Sequence, residues 1–282
     1  MPVFHICSRH SSARRLFALL LLSYFVAPAR LTAEETAAPP AWKTKLDSDK
    51  QSWQETVNRL DKAIQSTPDR VELYSRRGDA HFFRGHFKAA VADYDKMIAL
   101  DPDQSPGHWR RGIALFYAGK YKEAAAQFDK YHSFDDVDRE NGIWRYFSHY
   151  KAYGKERARK ELLKYEKDDR EPFPSVYKLF AGETTPAEIL KQIEQAEISP
   201  AEREKREFYA RLYIGLNHTV EGNPQKGQEF LEKMLSNTWG PAASYGPHYM
   251  WQVGRLQWEL NTSPNKEETD GMGIKSSKST RE

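Results

Sequence analysis

Five positions recur at a spacing of 34 residues: Gly78 returns as Gly112, Gly85 as Gly119, Phe87 as Tyr121, Ala90 as Ala124 and Tyr94 as Phe128. A fixed period of this length marks stacked helix-turn-helix units, none of which can bury its apolar face alone. The residue types agree. Gly78 and Gly112 fall in mid-helix, where glycine costs about 1 kcal/mol relative to alanine, a cost offset where a partner helix passes close. Ala90 and Ala124 supply the small surface on that partner, and Tyr94 and Phe128 fill the space between units. Gly85 and Gly119 end the first helix of each pair in a turn.

Carrying the spacing outward extends the array. Leu60, Ala63 and Pro68 stand where Tyr94, Met97 and Pro102 stand, so 51–68 is expected to be a half repeat, a second helix without its first. Full repeats follow at 71–104 and 105–138. Ala158, Leu162 and Tyr165 continue Ala124, Phe128 and Tyr131, but Tyr146 replaces the glycine, which makes 139–172 a degenerate repeat. A further repeat at 208–241 carries Gly215, Gly222, Gly227, Leu231 and Met234 in order. Between them, 173–206 holds Thr185-Pro186-Ala187-Glu188 and Ser199-Pro200-Ala201-Glu202, two capping boxes with proline at the first helical position. They predict a short helix pair. Gly240-Pro241 and Gly246-Pro247 read as breaks, after which 248–260 forms a capping helix. The expected fold class is all-α, a right-handed superhelix of antiparallel helix pairs over 51–260 with no β-sheet.

The ends are different. Residues 1–33 contain no acid, and Arg9, Arg14 and Arg15 precede an apolar run from Leu16 to Ala27, the layout of a secretory signal peptide. That run is too short to span a bilayer, which takes about 20 residues. Cleavage is expected after Ala33, with a second A-x-A site at Ala27 and Ala29. Arg14-Arg15-Leu16-Phe17 resembles a twin-arginine export signal, although ordinary Sec export is the favoured route. Cleavage removes Arg9, Arg14, Arg15 and Arg30, taking the formal charge from +3 to −1, and it removes Cys7, the single cysteine. The mature chain then has no disulfide, thiol nucleophile or lipidation cysteine, and no stable membrane insertion is expected. Residues 34–50, with Pro39-Pro40, read as a polar linker, and 261–282 as a disordered tail. With 43 Lys and Arg against 40 Asp and Glu, no nucleic-acid footprint follows.

Tyr74-Ser75-Arg76-Arg77-Gly78 with Ala80, and Trp109-Arg110-Arg111-Gly112 with Tyr121 through Ala124, resemble consensus tetratricopeptide-repeat (TPR) units. Val176 to Gly182 with Thr185-Pro186, then Phe208 to Gly215, are similar to envelope TPR lipoproteins that act as adaptors for periplasmic proteases and murein hydrolases. The missing lipidation cysteine departs from that group. In TPR arrays the first helices line a concave groove. Mapped by that resemblance, the groove is aromatic, with Phe82, Phe83, Trp109, Ile113, Phe116, Tyr117, Phe147 and Tyr150 as partner-binding residues, and with Glu72, Ser75, Asp79, Pro106, Glu140, Ile143 and Lys151 at its other positions. Ser75 and Asp79 replace the Lys and Asn that clamp chaperone C-terminal carboxylates, so that class of ligand is not expected.

No catalytic signature stands out. H-E-x-x-H, G-x-S-x-G, G-x-x-x-x-G-K-[ST] and G-x-G-x-x-G are absent, and no metal or cofactor is expected. His81 and His218 occupy the same place in their repeats and read as packed structural histidines, while carboxylates such as those of Glu161 to Asp169 read as a solvated helix face. Trp251 and Trp258 lie seven residues apart on one face of the last helix, with Val253, Leu256 and Leu260 largely opposite, so a homodimer through the two tryptophans is expected. The leading expectation is a non-enzymatic, exported scaffold or adaptor in the periplasm or outside the cell that binds a protein or peptide partner. The alternatives are a self-associating structural envelope protein and, behind it, a hydrolase with an unrecognised site.

Overall fold

A computed structural model describes residues 40–44, 46–167 and 169–263. The expected signal segment, the 34–39 stretch and the tail beyond 263 lie outside the described residues. Among the described residues every regular element is helical. The α-helices are α1 (Ala41–Thr44), α2 (Leu46–Ser66), α3 (Val71–Phe83), α4 (Phe87–Leu100), α5 (Trp109–Tyr117), α6 (Tyr121–His132), α7 (Arg139–Tyr153), α8 (Lys155–Lys160), α9 (Phe173–Ala181), α10 (Pro186–Gln195), α11 (Pro200–Val220), α12 (Pro224–Leu235), α13 (Trp239–Ala242) and α14 (Tyr245–Thr262).

The pairs α3–α4 and α5–α6 are successive helix-turn-helix units of the 34-residue period, and the repeated glycines explain their closeness. A Cβ on Gly78 would lie 2.6 Å from the Tyr94 ring, and one on Gly112 would lie 2.5 Å from the Phe128 ring. Each aromatic side chain therefore lies across the glycine of its own pair. Gly85 and Gly119 turn the chain at φ of 79° and 75°, a region glycine occupies without steric cost. The pair α11–α12 crosses closer still, because Gly215 and Gly227 face each other: a Cβ on Gly227 would lie 2.7 Å from the Gly215 carbonyl oxygen.

The start of α5 is set by His108, which is 4% exposed. Its Nδ1 accepts from the Arg111 backbone N–H at 3.1 Å, which requires that nitrogen to be unprotonated. Burial, reinforced by the charges of Arg110 and Arg111, pushes the ring down to about 3. The unfolded chain takes up a proton below about 6.5 while the folded one does not, so stability falls as pH drops through the window from 6.5 toward 3, by about 1.4 kcal/mol per unit. His108→Asn keeps an acceptor at the cap without the titration. In urea unfolding at pH 7 and pH 5, the parent chain should lose about 2 kcal/mol more than the variant; equal losses would mean that His108 is not held neutral.

Three expectations need correction. Helix begins at Ala41 and α2 at Leu46, so the last part of the 34–50 linker is helical. The degenerate repeat has only a six-residue second helix, α8, because Arg145 Nη1 donates to the Glu161 carbonyl at the helix end. Residues from Leu162 on leave the helix and return along α7, where Tyr165 donates to the Asp138 carbonyl at 3.1 Å and packs where Gly142 leaves room. The supposed solvated face is thus an irregular strap: Asp169 accepts the Arg139 N–H at 2.9 Å, and Lys167 pairs with Asp136 at 2.8 Å. Last, the Gly-Pro pairs do not break the chain. Pro241 and Pro247 fall in the first turns of α13 and α14, where a missing N–H leaves no hydrogen bond unmade.

Helix α14 touches both ends of the described array. Residues Tyr249 to Trp258 are all buried. On one side Trp251 donates to the Leu235 carbonyl at 3.4 Å and Trp258 to Glu232 at 2.9 Å, both on α12, while Trp42 of α1 meets Trp258 edge-on at 5.0 Å. On the other side the Arg255 guanidinium donates to the Phe83 carbonyl at the end of α3. Lys50 of α2 pairs with Glu259 at 3.1 Å. The final helix therefore joins the last repeat to the first and closes the array on itself.

Candidate functional site

The closure decides which part of the concave face is open. Tyr249 of α14 stacks on Phe82 at 5.1 Å, leans on Phe83 at 5.1 Å and meets Trp109 edge-on at 4.9 Å. Phe82, Phe83, Phe116 and Phe147 are buried; Tyr117 and Tyr150 are half-buried within aromatic clusters with Phe87 and Tyr146. The expected open aromatic groove is corrected at these positions: its first half holds the chain's own helix, and Phe116 packs against Trp144 at 5.6 Å as core. The expected free face at Trp251 and Trp258 is corrected likewise, since α12 and α1 cover it and leave the two side chains 5% and 7% exposed.

The start of α14 is tied down like a ligand. Asp79 and Ser75, at the groove positions of α3, receive Arg110 of α5 at 2.7 and 3.0 Å. Tyr245 donates to Asp79 at 2.5 Å and accepts from Arg110 at 2.9 Å. Tyr94 donates to the other side of the same carboxylate at 2.7 Å.

Beyond Tyr249 the concave face stays open as a cavity of about 400 Å³ between α5, α7, α11 and the arm formed by α13 and α14. Trp109, Ile113, Trp144, Trp239 and Met250 make its apolar wall. Asp138, Glu140, Asn141, Arg170, Lys205 and Tyr209 make its polar end. Asp138 caps α7, accepting the Glu140 N–H at 3.1 Å, so Glu140 and Asn141 stand in the first turn. The irregular strap delivers Arg170, whose guanidinium donates to Glu140 at 2.5 Å, to Asp138 at 3.3 Å and to Asp169 at 3.3 Å, with its Cζ 4.3 Å from the centre of the Phe173 ring. Tyr213 of α11 donates to the second Glu140 oxygen and accepts from Trp144 Nε1 at 3.2 Å.

One guanidinium against three carboxylates leaves local negative charge in a poorly hydrated place. Burial pushes the Glu140 carboxyl up to about 7; Arg170 pulls it down and Asp138 adds to the rise. Asp138 is raised for the same first reason. Among the described residues no three His, Cys, Asp or Glu are grouped as metal ligands, and no helix is long and apolar enough to cross a membrane. His81, its ring driven toward the neutral form by burial, lies 3.9 Å from Asp93, and His218 stacks on Phe230 at 5.4 Å; both are packing residues.

Of the groove residues expected from the sequence, Trp109 and Ile113 line this cavity, together with Glu140 from the first groove position of α7. Arg170, Tyr213, Asn141 and Trp239 were not anticipated. Arg170 had no local signal, since it belongs to a strap whose apolar spacing mimics a helix. No family model matches the chain, and no curated protein matches it. A crystal structure of a tetratricopeptide repeat protein from Parabacteroides merdae ATCC 43184 is similar over 81% of this chain and 87% of that one, at 14% identity and a TM-score of 0.43. The fold assignment rests on the helix packing itself.

Proposed function

We propose that the chain is an exported scaffold that takes a segment of a partner protein into the cavity between α7, α11 and the α13–α14 arm. The observation that carries this reading is the cavity: in an array otherwise closed by its own last helix, a concave space of about 400 Å³ stays open, with Trp109 and Ile113 of α5 forming part of its wall. Tryptophans in such places are the residues that contribute most to protein interfaces, often 2 kcal/mol or more each. The acid-free, arginine-bearing first 33 residues with their apolar run support export to the periplasm or beyond.

A pull-down with residues 34–282 as bait, run beside the Trp109→Ala bait, tests the reading. A partner held by the parent and at least tenfold more weakly by the variant is the expected result. No reproducible partner, or one held equally by both baits, would remove it. N-terminal sequencing of the exported protein should begin near Glu34 or Arg30, and a retained Met1 would contradict export.

A buried carboxyl held near neutrality beside a cavity is also what a hydrolase uses as a general acid or base. Glu140 meets that description in its titration. Both of its oxygens, however, are already taken by Arg170 and Tyr213, which favours a binding role. Purified protein with activity on peptidoglycan or peptides that is lost in Glu140→Gln would reverse that preference.

A further inference from the structure

Most of the donors around the polar end of the cavity are already committed. Arg170 is committed to Asp138, Glu140 and Asp169, Tyr213 to Glu140, and Tyr131 to Asp138 at 3.4 Å. Lys205 pairs with Glu202 at 3.3 Å. Asn141, 2% exposed, lines the cavity and donates through Nδ2 to the Phe128 carbonyl at 3.2 Å, which fixes the orientation of the amide. Its Oδ1 is buried and has no donor at all. A buried acceptor left unpaired costs about 1–3 kcal/mol, a cost that a donor-bearing ligand would remove.

Resting on the binding role proposed for this cavity, we infer that its ligand carries a nitrogen cation on an aliphatic stem, with the N–H groups directed at Asn141 Oδ1 and the Glu140–Asp138 pair and the stem against Trp109 and Trp239. Three observations converge on that chemistry. The cluster of Asp138, Glu140, Asp169 and Arg170 holds three carboxylates against one guanidinium, and Lys205 is the other cation lining the cavity. The unpaired polar atom is an acceptor. The remaining wall is apolar, with Trp109, Trp144, Trp239 and Met250, and suits an aliphatic stem. An anionic ligand would meet two carboxylates and two cations that are already paired. A lysine side chain of a partner and a free alkylamine share the required chemistry.

Calorimetric titration of the full chain with four probes separates these cases: butylammonium, butyrate, the peptide acetyl-Gly-Lys-Gly-amide and its neutral counterpart with norleucine for lysine. The two ammonium probes should bind, and both should weaken at least tenfold in Glu140→Gln and in Trp109→Leu. A lysine peptide binding tenfold or more above butylammonium identifies a partner protein as the source; equal or weaker binding identifies a free amine. If the norleucine peptide binds as tightly as the lysine peptide, the cavity still takes partner segments and the cation inference falls. If butyrate binds in preference to butylammonium, the inference is likewise overturned. If none of the four binds to folded protein, both the inference and the cavity as a site are overturned. Should Glu140→Gln not fold, Trp109→Leu and the lysine-to-norleucine ratio decide the matter alone.

Discussion

Replacing Tyr249 with alanine should destabilise the protein by about 3–5 kcal/mol and lower its thermal midpoint by about 10 °C or more. The side chain is fully buried and sits where three helices meet, between Phe82 and Phe83 of α3 and Trp109 of α5. Truncation would leave a void the size of a phenol among rings that are held by their own helices and cannot collapse into it. The hydroxyl contributes far less. Tyr94 gives its proton to Asp79, so the Tyr249 hydroxyl, 3.5 Å away, can only donate to Tyr94 across a long contact. Tyr249→Phe should therefore cost about 1 kcal/mol or less. Chemical unfolding of the two variants side by side is the check. A loss below about 1 kcal/mol for Tyr249→Ala would mean that α14 does not occupy the concave face.

Gly227→Val should cost about 3 kcal/mol, because the added atoms run into backbone rather than a side chain. A Cβ there would lie 2.7 Å from the Gly215 carbonyl oxygen and 2.4 Å from Thr219 Oγ1. The carbonyl belongs to α11 and cannot rotate away without breaking the helix. Gly227→Ala is the more searching variant. In a solvated helix alanine would stabilise by about 1 kcal/mol, so a net loss isolates the cost of prising α11 from α12. Equilibrium unfolding of both variants should show losses that rise with side-chain size. Stabilisation by Gly227→Ala would contradict the close crossing.

The helix pairs around Gly78 and Gly112 were legible because a glycine in mid-helix and an aromatic ring sixteen residues on record one physical fact, a ring laid across bare backbone. The capping boxes marked the starts of α10 and α11 for a similarly local reason: Thr185 and Glu188 satisfy each other's backbone N–H groups, and Ser199 accepts from Glu202. What stayed hidden was what covers each apolar face. Periodicity placed Trp251 and Trp258 on one side of the last helix and Leu256 on the other, yet both sides are buried, one against α12 and α1 and one toward α3. The groove residues were identified by position, and an open array would expose them. Here Tyr249 fills the space in front of Phe82 and Phe83. In the strap from Leu162 to Arg170, Leu162 and Tyr165 have helical spacing and so read as helix, while the contact that ends α8 comes from Arg145 and the room that Tyr165 fills comes from Gly142, both on another helix. The polar end of the cavity depends on that strap, so its guanidinium could not be placed from local pattern.

Closure of the array by its own last helix is the claim on which the location of the site depends. Zero-length carbodiimide coupling at dilute concentration tests it with native residues, since Lys50 Nζ and Glu259 Oε1 lie 3.1 Å apart although they belong to the first and last long helices. The pair Lys155 and Glu221, 2.6 Å apart, serves as a positive control. Peptide mapping of the monomer should recover both linkages. Recovery of the Lys155–Glu221 linkage without Lys50–Glu259 would show that α14 lies away from the first repeats, and the groove would then be open along its length.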